Sequence, residues 1–137
     1  MGAWGVGPFE NDAACDWEWQ LEKVDDLSVI QQALEAASKG DPEDDFLDAD
    51  IASEAVAACE VLARLQGNPG KSDSYTEAVD RWVAGHPLTP SASLIKLARA
   101  VLDRVVSEQS ELRELWDESD SVEWLASIES IRARIGP

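Results

Sequence analysis

Two pairs of acids, Glu77 with Asp80 and Glu111 with Glu114, each stand three residues apart. On helices that spacing puts both carboxylates of a pair on one face, one turn apart. Carboxylates facing each other across a bundle can hold a magnesium-like cation, which takes hard oxygen ligands and can activate water for hydrolysis. Other chemistry has less to work with. The chain has one histidine, His86, in the turn WVAGHPLTP, and no nucleophile-elbow pattern to complete a Ser-His-Asp arrangement. A histidine there is expected to be a turn residue or a favourable charge against a helix end. Cys15 and Cys59 form no C-x-x-C spacing, so zinc and dithiol redox chemistry lack support, and buried free thiols are expected.

The acid pairs are similar to those of the all-α nucleotide pyrophosphohydrolases, but their Glu-x-x-Glu precedes Glu-x-x-Asp and here the order is reversed. With 28 Asp and Glu in 137 residues, such spacings also arise readily by chance. Two other motifs fail on register. In GDPEDDFLDAD (residues 40–50) acids at 41, 43 and 45 fit the first three EF-hand positions. The sixth position is then Phe46 instead of Gly and the twelfth Ala52 instead of Glu, so a solvated loop is expected, with Asp48 or Asp50 capping the next helix. Gly2, Gly5 and Gly7 precede no strand–turn–helix unit, so they form no nucleotide loop. No cofactor is implied.

The bulk numbers narrow the partners. A chain of 137 residues is one domain with one core. Eleven Lys and Arg against those acids leave a formal net charge of −17. Such a surface repels phosphate backbones and anionic membranes, so neither direct nucleic-acid binding nor membrane association is expected. It would attract a cation or a basic protein, or a partner that mistakes it for DNA. There is no export-signal pattern and no apolar run long enough for a span, which makes a cytoplasmic location the expectation.

Apolar spacings of three and four run through almost the whole chain and predict an all-α single-domain bundle of six or seven helices. Successive faces carry Ala14, Trp17 and Leu21; Leu27, Ile30, Leu34 and Ala37; and Ile51, Ala55, Ala58 and Leu62. Alanine crowding over 49–63 predicts that the third helix is central. Tyr75, Val79 and Trp82 mark a fourth helix. Thr89-Pro90 predicts the start of a fifth, striped by Leu94, Leu97, Val101 and Val105. Ser110 should cap a short element around Leu112 and Trp116. A last helix from Asp120, with Glu123 in a capping-box position, should bury Val122, Leu125, Ile128, Ile131 and Ile135. Residues 67–74, GNPGKSDS, read as a turn-rich loop.

The opening, MGAWGVGPFENDAACDWEW, is the densest stretch. Glycines permit tight turns and close approach, Trp4 and Phe9 can bury large apolar areas, and Asn11 followed by Asp12 is a strong helix start. Residues 1–10 are therefore expected to form an extended arm clasped to the bundle. The alternative makes the same residues a pocket wall, with Glu10, Asn11 and Asp12 facing a ligand. Trp19 lies two positions from Trp17 and so on the other side of its helix, which makes it a candidate interface residue, as is whichever of Trp116 and Trp124 misses the core.

GAWGVGPFENDAACDW resembles the opening of a bacterial family of unknown function, domain-of-unknown-function family 4259. EAVAACEVLARLQG, SELRELWDES and EWLASIESIRARI are similar to its later stretches, so the resemblance covers essentially the whole chain. It implies a small cytosolic bacterial protein with a helical fold, and no activity, substrate or catalytic residue. From the residues themselves, the expected function is non-enzymatic binding of a basic protein partner, by analogy with immunity- or antitoxin-type proteins. The alternative is a metal-dependent hydrolase or small-ligand-binding protein using carboxylates on facing helices.

Overall fold

The computed structural model describes residues 7–39, 46–70, 72–118 and 121–136. Among them run seven helices: α1 (Asp12–Leu21), α2 (Ser28–Lys39), α3 (Ala49–Leu65), α4 (Glu77–Gly85), α5 (Ala92–Val105), α6 (Glu111–Asp117) and α7 (Ser121–Ile135). No strand occurs among the described residues. An isolated bridge joins Leu47 to Ser110, in which Leu47 N donates to Gln109 O and Glu111 N to Leu47 O.

α3 is the axis of the fold. Twelve of its seventeen residues are buried, and it touches all six other helices. The sequence ADIASEAVAACEVLARL explains this placement: small alanine side chains let neighbours approach on every side, so the helix needs no polar face. It begins where Asp48 accepts from Asp50 N and Ile51 N, and it ends at Gly67, whose φ of +82° is the left-handed conformation that glycine adopts without a Cβ penalty.

α1 begins where Asn11, extended at φ −155° and ψ 157°, accepts from Ala14 N at 2.8 Å. Ala14, Trp17 and Leu21 enter the core. Just before it, Glu10 N donates to Gly7 O at 3.1 Å, so residues 7–10 form a turn, and Phe9 is buried within it at 2 % exposure. The rest of the expected arm, with Gly2, Trp4 and Gly5, lies outside the described residues, as does the first part of the acidic loop, residues 40–45.

Two local expectations are corrected. The cap of α5 is Ser91, whose hydroxyl accepts from Leu94 N at 3.1 Å, so Thr89 and Pro90 precede the helix instead of starting it. Ser91 can accept from the third helical amide while its own backbone stays extended, and the proline simply leads into it. In α7 the buried stripe is Trp124, Ile128, Ile131 and Ile135, and Val122 is 78 % exposed. Trp124 offers far more apolar area than Val122, and the two stand about 200° apart on a helix, so burying one exposes the other. The Asp120 cap lies outside the described residues.

Replacing the turn's aromatic anchor (Phe9→Ala) should lower unfolding free energy by about 3–5 kcal/mol, as for a large-to-small change in a closed core, whereas Val122→Ala should stay within about 0.5 kcal/mol. Urea denaturation of the two variants beside the wild type checks both.

Candidate functional site

A chain of charges crosses the interior where α3, α4 and α7 meet. Glu60 and Arg64, one turn apart on α3, are 1 % and 5 % exposed. Arg64 Nε donates to Glu60 Oε2 at 2.9 Å, and Arg64 Nη1 donates to Asp80 Oδ1 on α4 at 2.5 Å. From α7, Arg134 grips both Glu60 oxygens, with Nη1 and Nη2 each at 2.7 Å in a two-pronged arrangement. Arg134 also donates to Asn68 O and to Ser130 Oγ, and Asn68 Nδ2 donates to Arg134 O. Thr76 Oγ1 lies 3.3 Å from Asp80 Oδ2, which ties the start of α4 to the same chain. Burying a carboxylate is costly unless its oxygens are met, and both oxygens of Glu60 are.

This network floors a cleft of about 250 Å³. One wall is the N-terminal turn, Gly7 to Glu10; another is Gly70 with Asp73, Tyr75 and Thr76; Ser127, Ser130 and Arg134 of α7 close the third. Two glycines make the shape possible. A Cβ on Gly70 would lie 2.8 Å from Arg134 Nη2, and one on Gly7 would lie 2.6 Å from Glu10 Oε1. Gly70 lets the backbone lie against the guanidinium, and Gly7 lets the Glu10 carboxylate fold back over the turn. The segment read as a plain loop thus supplies a wall of the cleft and a backbone acceptor for Arg134.

The acid pairs do not come together. Glu111 Oε1 accepts from Ala49 N at 2.8 Å, at the start of α3, while Asp80 is bound to Arg64 near its end. Fifteen residues of helix separate those points, about 22 Å. Glu77 and Glu114 are exposed. Among the described residues no group of three or more His, Cys, Asp or Glu is placed to hold a metal ion. Both cysteines are free. Burial first, then Glu60, pushes the Cys59 thiol up; burial first, then Glu18, Asp12 and Asp16, does the same to Cys15. Neither is poised as a thiolate nucleophile.

The motif residues of α1 divide between two tasks. Phe9 is core, Asn11 is the cap, and Glu10 lines the cleft. Asp12, Asp16 and Trp19 face outward on one stripe of α1, with Trp19 67 % exposed. Trp124 is buried and stacks on half-buried Trp116 with centroids 6.4 Å apart.

Two titrating groups brace α1 and the turn after it. Glu18 is buried, its Oε1 meets no hydrogen-bond partner, and its pKa is pushed up to about 7. Burial is the main cause, then hydrogen bonding with the Glu22 carboxyl and the Glu22 charge, opposed by Arg81. His86 donates from Nδ1 to Trp82 O at 2.8 Å and from Nε2 to Asp25 Oδ1 at 2.9 Å, and its ring stacks on Trp82. A ring donating from both nitrogens favours the imidazolium, so the Asp25 bond, then the Trp82 bond, raises its pKa.

A family model, Domain of unknown function (DUF4259), matches residues 2–127, and the chain belongs to that family. No curated protein and no solved structure matches it. Among the described residues no helix is long and apolar enough to cross a membrane.

Glu60→Ala should cost about 3–5 kcal/mol, because it takes the buried carboxylate from Arg134 and one of Arg64's partners, and Asp80→Asn clearly less, because the Asp80 side chain is 40 % exposed; chemical denaturation ranks the two. Stability should also fall as pH rises from about 4.5 through about 7. Glu18 contributes fully below its ordinary value of 4.5 and loses that contribution as pH rises through about 7; His86 loses its own as pH climbs through its raised value. Melting curves across that range check the slope, and Glu18→Gln should flatten it and raise the melting temperature on the alkaline side.

Proposed function

We propose that this protein is a non-enzymatic interaction protein that captures a basic protein partner, in the manner of immunity- or antitoxin-type proteins, through the outer face of α1. The observation that carries this reading is the stripe Asp12, Asp16 and Trp19, in which an indole stands 67 % exposed beside two exposed carboxylates. A tryptophan left in water forgoes a burial free energy of about 2–4 kcal/mol, which a partner surface can recover. Its π-face attracts a guanidinium, and an aspartate one turn away can bind the same group's N–H donors. The net charge of −17 steers a basic partner toward the surface and raises the encounter rate at low salt. The same charge works against phosphate backbones, so nucleic acid is the disfavoured partner.

Nona-arginine serves as a probe of the stripe. Trp19→Ala should weaken its binding about two- to fivefold at low salt, the worth of an exposed cation–π contact, and nona-lysine should bind more weakly than nona-arginine. Trp19 is a surface residue, so the variant should keep its melting temperature. Equal affinity of wild type and Trp19→Ala for nona-arginine, measured by calorimetry, overturns the reading.

A further inference from the structure

We infer that the cleft between the N-terminal turn, the 73–76 segment and α7 is a binding site for a small organic cation, an amine, amidine or guanidine on an apolar or aromatic body. This inference is independent of the α1 stripe.

Size comes first. An apolar cavity of about 150 Å³ accepts benzene, so a cleft of about 250 Å³ has room for a ring with a polar substituent. Its walls combine the apolar Pro8 and Phe9 with the half-exposed ring of Tyr75, while serine hydroxyls and carboxylates supply a few directional contacts.

Charge then chooses the ligand. Arg64 and Arg134 lie at the floor, yet they are held by Glu60 and Asp80, so they are already matched by carboxylates. Among the described residues, Glu60 and Asp80 already answer those two guanidiniums, which leaves the Glu10 carboxylate at the cleft wall as a further negative charge. An anion would have to break the buried network to be met, at a cost of the order that makes splitting a buried ion pair strongly unfavourable. A cation needs no such rearrangement. Glu10 is its natural counter-ion: the carboxylate is folded back over Gly7 at the cleft wall and makes no hydrogen bond within the described residues.

The inward-packed charges fit this role. An apolar substitute of the same volume would stabilise the junction of α3, α4 and α7 at least as well as Glu60 with its two arginines. The network instead holds a rigid polar floor and keeps Arg134 beside Gly70, where it shapes the wall.

Such a cation has two sources, a free small molecule or an arginine or lysine head from a protein partner, and the test separates them. Benzamidine is the free probe, benzoate its anionic counterpart, and nona-arginine the side-chain probe. Benzamidine at tenfold its Kd should raise the melting temperature by about 3–6 °C, and benzoate should not. Glu10→Gln should abolish the benzamidine shift, whereas Trp19→Ala should leave it intact. If Glu10→Gln also weakens nona-arginine, the head of a partner's side chain is a source; if only benzamidine responds, the source is a free molecule. A benzamidine response absent from the wild type, matched by benzoate, or unchanged in Glu10→Gln overturns the inference. Because Glu10 is a surface-turn residue, its variant should fold, and unliganded melting confirms that.

Discussion

The two-pronged grip of Arg134 on Glu60 is the constraint around which the molecule is arranged. Glu60 sits on a helix that has almost no solvent face, so its carboxylate can be tolerated only if both oxygens are met. Meeting them requires α7 to cross α3 at one height, Gly70 to make way for the guanidinium, and Arg64 to turn its other end toward Asp80. The start of α4 and the 67–70 turn both bond to that junction, which lies at the floor of the cleft. Hydrophobic packing makes the bundle compact, while the ionic junction ties α3 to both α4 and α7.

The cleft and the α1 face lie on either side of the same short segment. Phe9 and Asn11 point their binding energy inward, one as a core side chain and the other as a cap. Glu10 and Trp19 do not. An opening segment serving only as an anchor would not need to leave those groups uncommitted. The division of roles within eleven residues supports reading the segment as both structural and recognitive.

How much of this could be read from the amino acids depends on how local each cause is. The caps at Asn11, Asp48 and Ser110 were legible because a short polar side chain acts on amides two or three residues ahead. The centrality of α3 was legible from its alanines. Ser91 was masked by Pro90, a strong signal for the same event one residue earlier. Val122 fitted the apolar spacing as well as Trp124 did, and only the competition for area decided between them. The cleft was the least legible part. Glu60 and Arg64 gave one local hint, an ion pair one turn apart inside an otherwise apolar helix. Their partners Asp80 and Arg134 stand 16 and 74 positions away from Arg64 and Glu60 respectively, and no spacing rule reaches that far. Glu111 shows the reverse error of scale: a spacing that suggested a metal ligand belongs to a residue that secures a backbone amide 62 positions back.

That same contact has a topological consequence. Leu47 exchanges hydrogen bonds with Gln109 and Glu111, and the Glu111 carboxylate holds Ala49 N, so three ties join the entry of α3 to the entry of α6. α6 has only seven residues, too few to persist as an isolated helix. Those ties, made across some sixty residues of intervening chain, act with Leu112 in the core and Trp116 against Trp124 to hold it, so the entry of α3 and the short α6 are braced together.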